Sequence, residues 1–222
     1  MKHIFRRGLL GLSFILFITT LYLIFLYVPT EKDMGIVQRI FYFHVPLAWI
    51  SFLAFFIVFL GSILYLWQRE SKWDDIASSS ASVGAIFTTL FLITGSIWAK
   101  QIWGMWWVWS PRLTTALVLW LIYIAYFIVR SFAVEESQGT RFAAVIGIVG
   151  FIDVPIIALA ATLWRTQHPG SVIFQGGLTP PMVLTLLVSL AAFSTLYVLL
   201  LVQVNQMKKD SREIIRLREL LK

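Results

Sequence analysis

Cysteine is absent from the 222 residues, so no thiol is available for redox work. No stretch of the form GxxxxGK(S/T) is present either, which leaves any ATP hydrolysis to a partner. Charged residues are only 13% of the chain against 59% hydrophobic, and the mean hydropathy is +0.83. Those values exclude an ordinary soluble domain. Acids are the scarcer charge, 11 against 18 basic residues. The resulting +7 is mostly a matter of topology, as shown below, and not a nucleic-acid surface.

What is present is apolar sequence in six runs, at about 8–28, 46–67, 76–98, 113–130, 142–163 and 181–205. Each is long enough to cross a hydrocarbon core about 30 Å thick. The prediction is an all-α fold: a polytopic membrane bundle of six transmembrane helices, forming one domain over 1–222 with a tail at 206–222. The first run follows Met-Lys-His-Ile-Phe-Arg-Arg but is too long for a signal peptide and lacks a small-residue cleavage site, so it reads as a retained span.

If the N-terminus is cytoplasmic, 13 basic residues lie on the cytoplasmic side and 5 opposite (Lys32, Arg39, Lys100, Arg112 and Arg165). The positive-inside rule then places both termini inside. The loops after spans one, three and five face outward, and the second of these is the most unusual stretch in the chain.

Counting Trp98, five of the ten tryptophans fall within twelve residues, the others being Trp103, Trp106, Trp107 and Trp109. An interfacial aromatic belt accounts for one or two indoles at such a place, not for four or five. The i, i+3, i+4 spacing of Trp103, Trp106 and Trp107 predicts a short surface helix with all three on one face. Pro111 suits the first turn of the next helix, with Ser110 as its N-cap. A flat indole platform suits a large, flat, apolar ligand.

Two histidines flank this segment on the same side. Val37, Ile40, Phe41 and His44 share one helical face, with Gln38 and Tyr42 turned elsewhere, and Pro46 is expected to begin span two just after them. His168 follows span five in Trp164-Arg-Thr-Gln-His-Pro-Gly170. Either alone reads as an interfacial hydrogen-bonding residue. Together with the indoles they suit a bis-histidine haem, with Arg39, Arg112 and Arg165 as forks for its propionates. His3 lies in the cytoplasmic leader and is given no role.

Elsewhere the signals concern packing. Small residues from Ala77 to Ala85, and Ala143 with Gly147, permit close helix approach. Asp153, followed by Pro155 near the middle of span five, is open to a structural or a functional reading; Pro155 frees the carbonyl of Phe151, and a protonated Asp153 would help satisfy local backbone. After 206 a separate short helix is expected, with Asp210 and Glu213 as a capping pair and Ile214, Leu217 and Leu221 as a stripe. Its default role is a membrane-surface anchor.

The segment WGMWWVWSPRLT, Trp103 to Thr114, is similar to the WGxWWxWDxRLT signature of the haem-handling membrane proteins of cytochrome c maturation. His44 in Phe43-His44-Val45-Pro46 and His168 stand where that family has histidines, and the similarity extends over all six spans. Length and topology resemble the small CcmC branch more than the larger CcsA and CcmF relatives. One departure is Ser110, where the family usually has aspartate. The resemblance implies a carrier and not an enzyme. In it haem b, bound transiently and non-covalently at the outer face of the bacterial inner membrane, is ligated by His44 and His168, with Trp103, Trp106, Trp107 and Trp109 against the ring. It also implies a CcmE-type chaperone as acceptor, with a CcmAB transporter and a CcmD-type subunit as partners. Without cysteine there is no CxxCH for covalent attachment. A CcsA-like haem lyase subunit, a cytochrome b anchor and a proton-coupled transporter using Asp153 remain as alternatives.

Overall fold

The computed structural model describes residues 2–133, 135–163 and 176–221. These form α1 (Lys2–Tyr22), α2 (Phe41–Gln68), α3 (Ser71–Trp103), α4 (Pro111–Phe132), α5 (Glu136–Gly150), α6 (Asp153–Leu163) and α7 (Pro180–Leu220). A π-helical turn, Leu23–Tyr27, prolongs α1, and a 3-10 turn, Ile36–Ile40, leads into α2. Six helical segments are long and apolar enough to cross a membrane, as the hydropathy pattern predicts; α5 and α6 together supply the fifth, Ser137–Ala160.

Several expected boundaries differ. Pro46 does not open span two; it lies inside α2, which starts at Phe41. A proline there removes one backbone hydrogen bond, a loss that membrane helices tolerate where neighbours compensate. Residues 37–44 are therefore no separate surface helix but the first turns of a spanning one. Gln38 and Tyr42, expected to turn away, are buried, and Gln38 Nε2 donates to Tyr42 Oη at 3.1 Å. The expected surface helix over Trp103–Trp107 is also absent. Gly104 at φ +73° ends α3 after Trp103, its N–H returning to the Lys100 carbonyl, and 105–110 run without helix into α4. Only glycine takes that left-handed backbone cheaply.

The tail is not a separate helix. α7 continues unbroken to Leu220, a rod of about 60 Å at 1.5 Å per residue. Asp210 is interior to it, accepting from Gln206 Nε2 at 2.7 Å instead of capping. Ile214, Leu217 and Leu221 are exposed along the projecting part.

α2 and α3 are the most buried spans, and the small residues of α3 explain how they approach. Ser80 Oγ donates to the Ala54 carbonyl at 2.7 Å and meets Tyr197 Oη at 2.8 Å, while Tyr123 Oη donates to the Ser51 carbonyl at 3.1 Å. A Cβ on Gly84 would fall 2.3 Å from Tyr123 Oη and 2.9 Å from Ala54 Cβ. One on Gly147 would fall 2.7 Å from Ser62 Oγ. Both small-residue runs are thus packing sites.

The far end from the tryptophan segment is tied by ion pairs. Arg130 donates to both oxygens of Asp74, at 2.5 and 2.8 Å, joining α4 to α3. Arg212 pairs likewise with Asp75, and Lys208 Nζ donates to Ser78 Oγ at 2.6 Å, fixing the start of the projecting rod. Asp153 sits at the break between α5 and α6. It is buried, and its Oδ2 has no hydrogen-bond partner among the described residues. The Phe151 carbonyl that Pro155 cannot use accepts instead from Val154 N at 3.1 Å.

Candidate functional site

Three helix ends meet at the tryptophan segment: the first turns of α2, the last turns of α3 and the first turn of α4. Between them lies a cleft lined among others by His44, Trp98, Trp103, Trp107, Arg112 and Met34. No carboxylate lines it among the described residues, so the guanidinium of Arg112 gives the cleft positive character.

His44 is only 6% exposed, in the second turn of α2, facing α3. Its ring lies 4.8 Å from that of Phe91 and 5.5 Å, edge to face, from that of Trp98. Nδ1 is 3.1 Å from Thr94 Oγ1. That hydroxyl has one proton, shared between the carbonyls of Leu90 at 2.8 Å and Phe91 at 3.1 Å. With that proton on the backbone, its oxygen accepts from Nδ1–H, the tautomer that leaves the lone pair on Nε2. Gly95 makes room for the ring: a Cβ there would lie 2.9 Å from His44 Cε1.

The segment after α3 is shaped by local chemistry. Lys100 Nζ donates to the Gly104 carbonyl at 2.8 Å, a cation placed where the helix dipole favours it. Ser110 Oγ accepts from Leu113 N at 3.4 Å and Pro111 stands at the first helical position, as predicted. Trp107 packs edge-to-face on Trp109, with ring centroids 5.8 Å apart. The Trp107 Nε1 is buried with no hydrogen-bond partner among the described residues, a donor costly to leave unmade.

The sequence-predicted residues are brought together only in part. His44, Trp103, Trp107 and Arg112 line one cleft. Trp106 and Trp109 are not in its wall and are 60% and 75% exposed. Arg39 lies off the lining, its guanidinium 6.0 Å from the Phe25 ring centre and its buried Nε without a partner among the described residues. His168 and Arg165 lie outside the described residues. Reading the sequence missed Phe91 and Gly95 as parts of the wall and counted Trp98 only as one of the clustered tryptophans. The available signal was their spacing from Ala99 and Ile102, one face of a helix prolonged to Trp103.

The residues present fit a haem. A mostly apolar cleft, a buried imidazole, indoles around it and a guanidinium are the donor set such a group requires.

Comparison with known proteins gives an independent reading. The family model described as heme exporter protein C (CcmC) matches residues 2–219. A heme exporter protein C of Bradyrhizobium diazoefficiens is 37% identical over 175 residues, covering 78% of this chain and 66% of the relative. A putative cytochrome c biosynthesis ccmC-like mitochondrial protein of Marchantia polymorpha is 32% identical over 173 residues, covering 78% and 73%. The heme exporter protein C of Escherichia coli K12 is 33% identical over 157 residues, covering 70% and 64%. The chain thus spans a little under two thirds of the length of the Bradyrhizobium and Escherichia relatives.

Proposed function

The chain belongs to the heme exporter protein C family, and from that premise we propose that it holds haem b non-covalently in the His44 cleft and passes it to a CcmE-type chaperone. The observation that carries this reading is the seat of His44: a buried imidazole with Nδ1 3.1 Å from Thr94 Oγ1, in a cleft walled by Trp98, Trp103 and Trp107. Haem bound there would bring an iron that imidazoles ligate well, and His44 and His168 would hold it.

The remaining residues bind and orient. Trp103 and Trp107 flank the ring, and the indole N–H of Trp107 is a donor in want of an acceptor. Arg112 neutralises a propionate from within the cleft, with Arg39 and Arg165 as further forks. Trp106 and Trp109, largely exposed, suit contact with the arriving chaperone. The cleft lies at the outer face of a bacterial inner membrane with both termini cytoplasmic, a placement supported by the distribution of basic residues. A CcmAB transporter and a CcmD-type subunit complete the assembly, supplying the nucleotide chemistry for which this chain has no phosphate loop.

Delivery is tested in membranes containing the chaperone. His44→Ala and His168→Ala are expected to abolish haem-loaded chaperone, while His3→Ala leaves it unchanged. Normal delivery by either outer-histidine variant would overturn the assignment of that ligand.

A further inference from the structure

We propose that Thr94 is a positioning residue for His44: its hydroxyl holds the imidazole in the tautomer and orientation that present Nε2 to a haem iron. The inference rests on the reading of His44 as an axial ligand, and goes one residue beyond it. The geometry that carries it is a relay of two hydrogen bonds. Thr94 Oγ1 spends its only proton on the carbonyls of its own helix, Leu90 at 2.8 Å and Phe91 at 3.1 Å. What it offers His44, 3.1 Å away, is therefore an acceptor. The backbone of α3 thereby dictates which ring nitrogen holds the proton.

Three neighbours make this seat specific. Phe91, one turn before Gly95, and Trp98 flank the imidazole with ring centroids at 4.8 and 5.5 Å. Gly95 leaves space where any side chain would press on Cε1. Packing fixes where the ring is; only Thr94 among these four has a polar side-chain atom placed to fix which way its proton points. A histidine ligand whose other nitrogen donates to a fixed acceptor is a better electron donor to metal, and loss of such a partner typically weakens metal binding about 10–100-fold.

The test titrates the purified full-length protein with hemin and follows affinity, the low-spin absorption and paramagnetic resonance spectra, and the reduction potential. Thr94→Val keeps the branched shape and removes the acceptor. It should weaken hemin binding about tenfold or more, shift the low-spin spectrum, and move the potential upward because the ligand donates less to ferric iron. Thr94→Ser should restore all three towards wild type. Unchanged affinity, spectrum and potential in Thr94→Val would overturn the inference, as would a serine variant that behaves like valine. His44→Ala in the same titration separates the two levels. If it retains the wild-type low-spin spectrum, the ligand reading itself fails and Thr94 falls with it. If it loses that spectrum while Thr94→Val is silent, His44 stands as ligand and only the role of Thr94 is refuted.

Discussion

Gly95→Ala is the smallest change that tests whether His44 sits where the cleft needs it. The added Cβ would lie 2.9 Å from His44 Cε1, 3.6 Å from Nδ1 and 3.9 Å from Nε2. Carbon atoms rest about 3.5–4.0 Å apart, so the ring must retreat by about 0.6–1 Å. Its retreat is opposed by Phe91, Trp98 and the hydrogen bond to Thr94. Overpacking of this kind costs about 1–3 kcal/mol. Replacing an interior helical glycine by alanine returns about 0.8–1 kcal/mol, so the net destabilisation is about 0–2 kcal/mol. Stability alone therefore discriminates poorly, and hemin affinity is the better readout: a displaced ligand should lower it about 10-fold or more. Gly11→Ala is the control, since nothing lies within 4 Å of its Cβ position. Equal hemin affinity and an equal low-spin spectrum in Gly95→Ala and Gly11→Ala would refute the packing of His44 against Gly95.

Ser110→Ala should cost about 1 kcal/mol by removing a helix N-cap, and Ser110→Asp should leave haem delivery intact, since both residues cap well; strong gain or loss in the aspartate variant with a silent alanine variant would show that charge, not capping, matters there. Arg112→Ala should impair delivery most of the three at matched expression. Gly84→Ala should lower thermal stability by up to about 2 kcal/mol, the overpacking of its Cβ against Tyr123 and Ala54 less the gain in helix propensity, and a melting temperature above wild type would contradict that contact. Breaking the part-buried pair by Asp74→Asn or Arg130→Met should cost about 3 kcal/mol, with a double mutant less destabilised than the sum; additive losses would mean that the pair contributes nothing. Reporter fusions after residues 105 and 170 should both read external, and a cytoplasmic signal at either would reverse the topology.

The features legible in the sequence were those fixed by nearby residues. The six spans follow from hydropathy alone, and the start of α4 follows from Ser110 and Pro111 side by side. The close packing of α3 was likewise visible in its run of small residues. Features set by continuity were not. Gly104 stops α3 at Trp103, so the tryptophan spacing that suggested a short helix is divided between a helix end and a non-helical segment. Pro46 suggested a boundary, yet α2 runs through it, so His44, expected on the apolar side of a surface helix, lies buried in the first turns of a spanning one. α7 continues past its last apolar turn because Lys208 and Arg212 find Ser78 and Asp75 on α3, partners 130 residues or more away in the chain. The same holds for the wall of the cleft. Phe91, Gly95 and Trp98 matter only because α3 presents that face to His44.

Ligation of haem iron by His44 is tested most directly by chemical rescue. His44→Gly is purified, loaded with hemin and titrated with free imidazole, while its absorption and paramagnetic resonance spectra are followed. The expected result is loss of the wild-type low-spin signal in the variant and its return as imidazole fills the vacated position. A His44→Gly protein that shows the wild-type low-spin spectrum before any imidazole is added would contradict it.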